Sequence, residues 1–298
     1  MDEVLASQLV QAEGGAAIPG WVTPALVVGA FALLTWLETR RQLRVATRDK
    51  LRRVLRNLGT GALAAAVVAP LQSVALAPLA ARLEGGRIGL LYPLGLPPWL
   101  HVLAAVLLLD WSLWVWHWLN HVVPFLWRFH LVHHVDQDLD ASTALRFHFG
   151  ELALSIPYRA LQIAAIGVPA SALGLWSAAL FVSILFHHSN LRLPLAVERW
   201  LVRLVVTPRM HGIHHSTVRS ERDTNYSSLL SVWDRLHGTT LLAVPQREVR
   251  IGVPPLLEAE QVTFGRITLL PFGRAARAGL AEAAGPPRAI APRSTLVP

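Results

Sequence analysis

The chain has thirteen histidines among 298 residues, and most fall into short, regularly spaced groups. The stretch DWSLWVWHWLNHVVPFLWRFHLVHHVDQDLDASTALRFHFGE, Asp110 to Glu151, carries His117, His121, His130, His133, His134 and His148. TPRMHGIHHS downstream carries His211, His214 and His215, and His187 and His188 lie between the two stretches. Imidazole is the commonest metal ligand and takes first-row transition metals well. On a helix, residues four apart share a face, so His117 and His121 can chelate one ion. His130, His133 and His134 sit at i, i+3 and i+4, and His211, His214 and His215 repeat that spacing. Each reads as one helical face of donors. Burying so many imidazoles without partners would be costly, because every ring nitrogen needs satisfaction.

The count points to more than one ion. The three groups supply eight histidines, and His148 with His188 would make ten. One tetrahedral zinc takes about four ligands. His187 and His188 are adjacent and point in different directions on a helix, and His188 is the favoured ligand of the two. Asp110, seven residues before His117, lies on the same stripe. It could accept the second N–H of a ligating imidazole, or merely cap or pair locally. The peptidase pattern H-E-x-x-H is absent, which argues against a zinc hydrolase. Haem would use one or two histidines per site and leave most of these unexplained. His101 and His237 read as bystanders. Trp111, Trp114, Trp116 and Trp118 read as an interfacial aromatic belt, with lining of a substrate path as the second reading.

The elements that must position these groups are apolar. The chain is 53% hydrophobic and only 15% charged, with mean hydropathy +0.43, whereas soluble domains carry about 25% charged residues. This is the composition of an all-α integral-membrane bundle. Span candidates are 21–37, 58–80 with Pro70 as a kink, and 99–119. Residues 152–186 form a hairpin around Gly167–Val168–Pro169 that either spans or re-enters. About three spans plus this hairpin carry a histidine-rich helical cap. Eight Lys or Arg lie between Arg40 and Arg56, so the positive-inside rule places that stretch in the cytoplasm. It reads either as an amphipathic segment along the membrane surface or as a solvated loop. Counting crossings from there puts the histidines at the cytoplasmic face. The division of the chain is 1–98 for N-terminal spans and basic loop, 99–245 for the histidine-bearing unit, and 246–298 for a partly disordered cytosolic extension. The start, MDEVLASQLVQAEGG, lacks the features of a signal peptide. A net charge of +8 beside apolar runs favours anionic lipid over nucleic acid. With no cysteine, disulfides, thiolate zinc sites and Cys-held iron–sulfur clusters are excluded.

At these residues the chain resembles the fatty acid hydroxylase/sterol desaturase superfamily of integral-membrane di-iron oxidoreductases, from about Asp110 to Thr239. The family's first box matches His117 and His121, and its second matches His130, His133 and His134. ALRFHFGE places His148 and Glu151, FHHSNLRLP places His188, Ser189 and Asn190, and the last box matches His211, His214 and His215. RDTNYSSLLSVWDRLHGT places Asp223, Asn225 and Tyr226. Phe149 stands where a proline is usual and His237 where an aromatic such as Phe is common. The resemblance implies two irons held by the histidines, with Asp223 and Asn225 supporting the last box rather than binding metal. It implies O2-dependent hydroxylation or desaturation of a lipid: a sterol or hopanoid, a fatty acyl or sphingoid chain, a carotenoid or an ether lipid. No dinucleotide fingerprint is present, so electrons would come from a ferredoxin or cytochrome partner and its reductase, docked on the Arg-rich face of an inner-membrane protein. The alternative is a non-catalytic membrane metal-binding or metal-transport protein. Transport predicts ionisable residues in the middle of several spans, whereas these collect at one face.

Overall fold

The computed structural model describes residues 22–254, 256–274 and 276, and among them every regular element is helical. The readings made for the amino-terminal stretch before residue 22 and for the tail beyond residue 276 fall outside the described residues. The helices are α1 (Val22–Arg40), α2 (Lys50–Gly85), α3 (Pro98–Val122), α4 (Pro124–His134), α5 (Phe149–Ile166), α6 (Ala170–His188), α7 (Leu195–Leu201) and α8 (Pro208–His214), followed by shorter turns. Only isolated bridges, such as Val205 with Leu230, break this pattern. Among the described residues, three helices are long and apolar enough to cross a membrane: α2 with 36 residues, α3 with 25 and α6 with 19.

Local chemistry sets the boundaries that matter. Asp49 starts α2 by accepting the Arg52 backbone N–H at 2.8 Å, which satisfies one of the donors orphaned at a helix start. Pro124 ends α3 and begins α4. The residue before a proline is pushed out of the helical region, and Val123 accordingly adopts φ −93° and ψ 111°. Pro124 then sits at the first position of the next helix, where its missing N–H costs nothing. This single extended residue turns the His130 helix back onto the His117 helix. The predicted hairpin is present as α5 and α6. Gly167 makes its corner at φ 79°, and a Cβ built on Gly89 would lie 2.2 Å from the Gly167 Cα. Only two glycines allow that approach. His101 Nε2 donates to the Gly167 carbonyl at 2.9 Å, a structural role for a residue read as a bystander.

The apolar interior joins α2, α3, α5 and α6 through Leu76, Ala80, Ala105, Leu109, Ile163 and Trp176. Leu71, Val74, Leu103, Leu161 and Leu175 are exposed on the same helices, an apolar outside suited to lipid. A second core lies in the cap. Trp127, Leu131, Val132 and Val135 on or just after α4 pack with Val253, Val262, Ile267 and Leu270. The described part of 246–298 contributes to this core: its apolar residues cover the back of a histidine helix.

The basic stretch is corrected more sharply. Residues 50–57 do not form a solvated loop, because they are the first turns of α2. Arg53 and Asn57 are buried, at 3% and 0% exposure. Arg53 donates to Asp136 at 3.0 Å and to Asp140 at 2.7 Å, and Asn57 donates to Asp136 at 2.9 Å. Helical periodicity places Arg53 and Asn57 four apart on the inward face, where carboxylates beyond His134 receive them. Removing one partner of a buried ion pair costs about 3–5 kcal/mol, whereas an exposed pair is worth about 1 kcal/mol or less. Arg53→Met should therefore lower the unfolding midpoint of the detergent-solubilised protein substantially. Arg247→Met, which removes the exposed Arg247–Glu248 pair, should barely move it. Equal effects in a denaturation series would contradict this ranking.

Candidate metal centre

Nine histidines converge into two buried groups. His117, His121, His130, His134 and His214 form one, and His133, His188, His211 and His215 form the other. Within each group, the nearest ring nitrogens all lie within 4.8 Å of one another. α3 supplies His117 and His121, α4 supplies His130, His133 and His134, the end of α6 supplies His188, and α8 with its C-cap supplies the rest. The expectation that each HxxHH segment presents one face is only partly met. With about 100° per residue, i and i+4 lie about 40° apart, while i+3 falls about 60° to the other side. The i and i+4 members of the α4 segment, His130 and His134, join the first group, and His133 joins the second. In the α8 segment His211 and His215 join the second group, and His214 crosses to the first.

The ring orientations follow from acceptors that cannot donate. His117 Nδ1 gives its proton to the Tyr226 carbonyl at 2.7 Å, and His214 Nδ1 to the Thr224 carbonyl at 2.7 Å. His188 Nδ1 donates to the Ile184 carbonyl at 2.7 Å, and His133 Nδ1 to the Arg146 carbonyl at 3.2 Å. His130 Nδ1 donates to the Glu151 carboxylate at 2.9 Å. With the proton on Nδ1, a neutral ring carries only a lone pair at Nε2. Yet the Nε2 atoms of His117 and His214 are 3.0 Å apart, as are those of His133 and His188. Two lone pairs at that distance repel unless a cation lies beside both. Nitrogens each about 2.1 Å from one ion, at right angles, lie about 3 Å apart. The donor set therefore fits a bound metal ion in each group. The Nε2 atoms of His130 and His134, and of His211 and His215, face each other at 3.1 Å in the same way, and both nitrogens of His121 are unpartnered.

Burial also keeps the donors neutral. The imidazoles of His133, His134, His211, His214 and His215 are held well below the ordinary range, first by desolvation and then by neighbouring imidazoles. Their lone pairs are free for metal at neutral pH.

The remaining sequence candidates separate by position. His148 joins neither group: its Nδ1 accepts the Gly150 N–H at 2.9 Å and its Nε2 faces the Thr268 carbonyl at 3.0 Å. It caps α5, and both nitrogens are engaged. His187 is buried beside His211, with ring centroids 4.1 Å apart, but lies outside both groups. His237 stacks on Trp114 and accepts from Trp111. Asp110 does not reach a histidine. Seven residues are about 10 Å of helix rise, and its carboxylate accepts from Leu230 N at 3.0 Å and Trp233 Nε1 at 2.6 Å instead. Asn190 brackets the Arg44 backbone, accepting its N–H at 2.9 Å and donating to its carbonyl at 2.8 Å. Asp223 pairs with Arg219 at 3.0 Å and stands 3.6 Å from His121 Nδ1. Asn225, at φ 55°, ties the Met210 carbonyl of α8 to the backbone of Leu241.

Glu151, placed by the resemblance without a role, orients His130. Three contributors were not legible as site residues in the sequence. Arg146 offers its carbonyl to His133 while its guanidinium donates to Val132 O at 2.8 Å and Asn57 Oδ1 at 3.1 Å. Asp234 accepts from Trp114 Nε1, Tyr226 N and Ser227 N, at 2.8 to 2.9 Å, and so holds the carbonyl that orients His117. Arg44 crosses Gly212, where an added Cβ would fall 1.9 Å from its guanidinium. The glycine of HGIHH makes room for that arginine.

The comparisons with known proteins cover the same region. Residues 102–239 match the family described as fatty acid hydroxylase. Ornithine lipid hydroxylase OlsE of Rhizobium tropici is 33% identical over 139 residues, covering 46% of this chain and 41% of that protein. Human alkylglycerol monooxygenase is 29% identical over 147 residues, 46% of this chain and 29% of that protein. Human cholesterol 25-hydroxylase is 29% identical over 152 residues, 49% of this chain and 54% of that protein. The matches thus span about half or less of those relatives. No solved structure matches the chain significantly.

Two outcomes are expected. His214→Ala should lower the metal bound per chain, while His148→Ala should leave it unchanged, as read by elemental analysis of purified protein. Histidines with folded-state pKa values below the unfolded value of about 6.5 contribute stability that is present above that pH. That contribution is lost as pH falls, because the unfolded chain takes up protons first. The metal-free protein in chelator should therefore lose thermal stability as pH drops below about 6.5. A flat profile from pH 8 to 5 would contradict the neutral-imidazole assignment.

Proposed function

We propose that the chain is a member of the fatty acid hydroxylase superfamily, on the match of residues 102–239 and the similarity to ornithine lipid hydroxylase. The protein is a membrane-bound di-iron oxidoreductase that uses O2 to hydroxylate or desaturate a lipid. The observation that carries this reading is the pairing of bare Nε2 atoms at 3.0 Å in both groups, with their Nδ1 protons turned outward. Such pairs favour one ion in each group. His117, His121, His130, His134 and His214 would hold one iron, and His133, His188, His211 and His215 the other.

When bound there, the irons supply activation of O2 and abstraction of hydrogen from an unactivated C–H bond. The chain's own residues do the positioning. Glu151 and the carbonyls of Arg146, Ile184, Thr224 and Tyr226 aim the imidazoles, as ligand-orienting partners do in metal sites generally. Phe147 stacks on His133 with ring centroids 4.4 Å apart, and the nine histidines are at most 8% exposed. Bulk water is thereby kept from the centre. The lipid enters from the bilayer between α3 and the α5–α6 hairpin. The names of the relatives point to polar-headed, ether and sterol lipids alike, so the substrate is assigned only as a lipid with a long or flat hydrocarbon.

The histidines end two membrane-length helices, α3 and α6, beside the arginine-rich start of α2, and by the positive-inside rule that side is cytoplasmic in the inner membrane. With no cysteine in the sequence, electrons come from a separate ferredoxin or cytochrome and its reductase.

Comparative lipidomics of cells with and without the protein should reveal a lipid shifted by one oxygen or two hydrogens. His133→Ala and His214→Ala should each erase that shift while leaving the protein in the membrane fraction, and anaerobically purified protein should hold about two irons per chain. Zinc in place of iron, with no lipid shift, would instead favour a metal-binding or transport protein.

A further inference from the structure

A cavity of about 400 Å³ opens at the N-terminal end of α2, lined by Arg48, Arg52, Arg53 and Arg56 on one wall and by Glu260 and Phe264 on the other. It lies outside the histidine groups, against the loop that follows His134. The charges on its walls are unevenly engaged. Arg53 is taken up by Asp136 and Asp140, and Arg56 reaches Asp136 only at 3.3 Å. The Asp49 carboxylate is occupied in capping α2. Arg48 donates to the Leu257 carbonyl at 2.6 Å, and its Nε has no partner. Among the described residues, neither Arg48 nor Arg52 has a carboxylate partner. The N-terminus of a 36-residue helix adds its positive dipole end. The cavity therefore presents an excess of positive charge in a concave site.

The adjoining surface shows what kind of anion it suits. Leu51, Leu55 and Leu58 are exposed, at 68%, 60% and 38%. They are spaced four and three apart and so form one apolar stripe along α2 beside Arg52 and Arg56. α2 is among the helices long and apolar enough to cross the membrane, so the stripe begins where the helix enters lipid. Basic pockets beside spanning helices bind anionic head groups. A free phosphate would satisfy the guanidiniums but leave the leucines unused, and an acidic protein surface is too flat for a cavity of this size.

We propose that this cavity binds the phosphate of a net-anionic phospholipid, with its acyl chains lying along Leu51, Leu55 and Leu58. Arg48 and Arg52 hold the head group, Arg56 supports it, and Phe264 covers the glycerol region.

Delipidated full-length protein in detergent, titrated by native mass spectrometry, tests the assignment. Dioleoyl phosphatidylglycerol should bind at least about tenfold more tightly than dioleoyl phosphatidylcholine. Arg52→Gln should weaken phosphatidylglycerol binding about fivefold, and the Arg48→Gln/Arg52→Gln pair should close the gap between the two lipids. Phosphatidylcholine binding should not change. Arg52 is exposed, so the single variant decides the question if the double one folds poorly. Equal binding of the two lipids to the unsubstituted protein overturns the proposal, as does an undiminished preference in Arg52→Gln. Inorganic phosphate that displaces phosphatidylglycerol at millimolar concentration, and protects the protein from heat equally well, overturns the lipid assignment in favour of a soluble phosphate site.

Discussion

Nine imidazoles are packed at 8% exposure or less, and a neutral ring has two nitrogens that must be satisfied in opposite ways. One nitrogen needs an acceptor for its proton and the other needs an electrophile for its lone pair. Leaving either unsatisfied costs on the order of 1–3 kcal/mol. The fold answers the first need from within the protein: four backbone carbonyls and one carboxylate take Nδ1 protons. For those five rings it leaves the second need unanswered, while Nδ1 of His121, His134, His211 and His215 has no partner within the protein. That asymmetry, more than the number of histidines, distinguishes a metal centre from a buried polar network.

The carbonyl acceptors impose their own requirements. Tyr226 must present its oxygen to His117, so Asp234 grips the Tyr226 and Ser227 N–H groups and the Trp114 indole. Arg146 must present its oxygen to His133, so its guanidinium is anchored to Val132 and to Asn57 on α2. Asn57 and Arg53 in turn hold Asp136, two residues beyond His134. A chain of buried, mutually satisfied polar groups thus runs from the start of α2 to the histidines. α2 lies outside the region matched to the family, yet it helps fix the orientation of His133. Buried ion pairs contribute little net stability against an apolar alternative. They do specify one arrangement when every member is satisfied, and a metal centre needs one arrangement.

The sequence was legible wherever periodicity and residue type carry the information. Hydropathy runs located α1, α2, α3 and the α5–α6 hairpin, and Gly167–Val168–Pro169 marked the hairpin corner. The spacing of His117, His121, His130, His133, His134, His211, His214 and His215 marked segments that meet in space. Side chains aimed by tertiary contacts were not legible. Asp110 sits on the right stripe of α3 but a helix rise too far from His117, and no local signal shows that Trp233 claims it. His148 has the right residue type but caps α5. Backbone carbonyls have no sequence signature, so the orienting roles of residues 224 and 226 could not be read. Arg53 looked like one of eight interchangeable surface cations because its partners lie more than 80 positions away.

The splitting of both HxxHH segments has a consequence for how the centre forms. Neither segment can complete a site alone: α4 contributes two donors to one group and one to the other, and α8 does the reverse. Each ion would therefore cross-link α3, α4 and the α8 region, or α4, α6 and the α8 region, and the two share both segments. A metal that binds only the assembled groups stabilises the whole arrangement by its binding energy. The short α8, only seven residues long, has little helical stability of its own. Its order rests on Thr207 capping, Asn225 holding Met210 and Arg44 crossing Gly212. Those contacts preform the site, and the spacing of the second HxxHH ties the two groups to one short element.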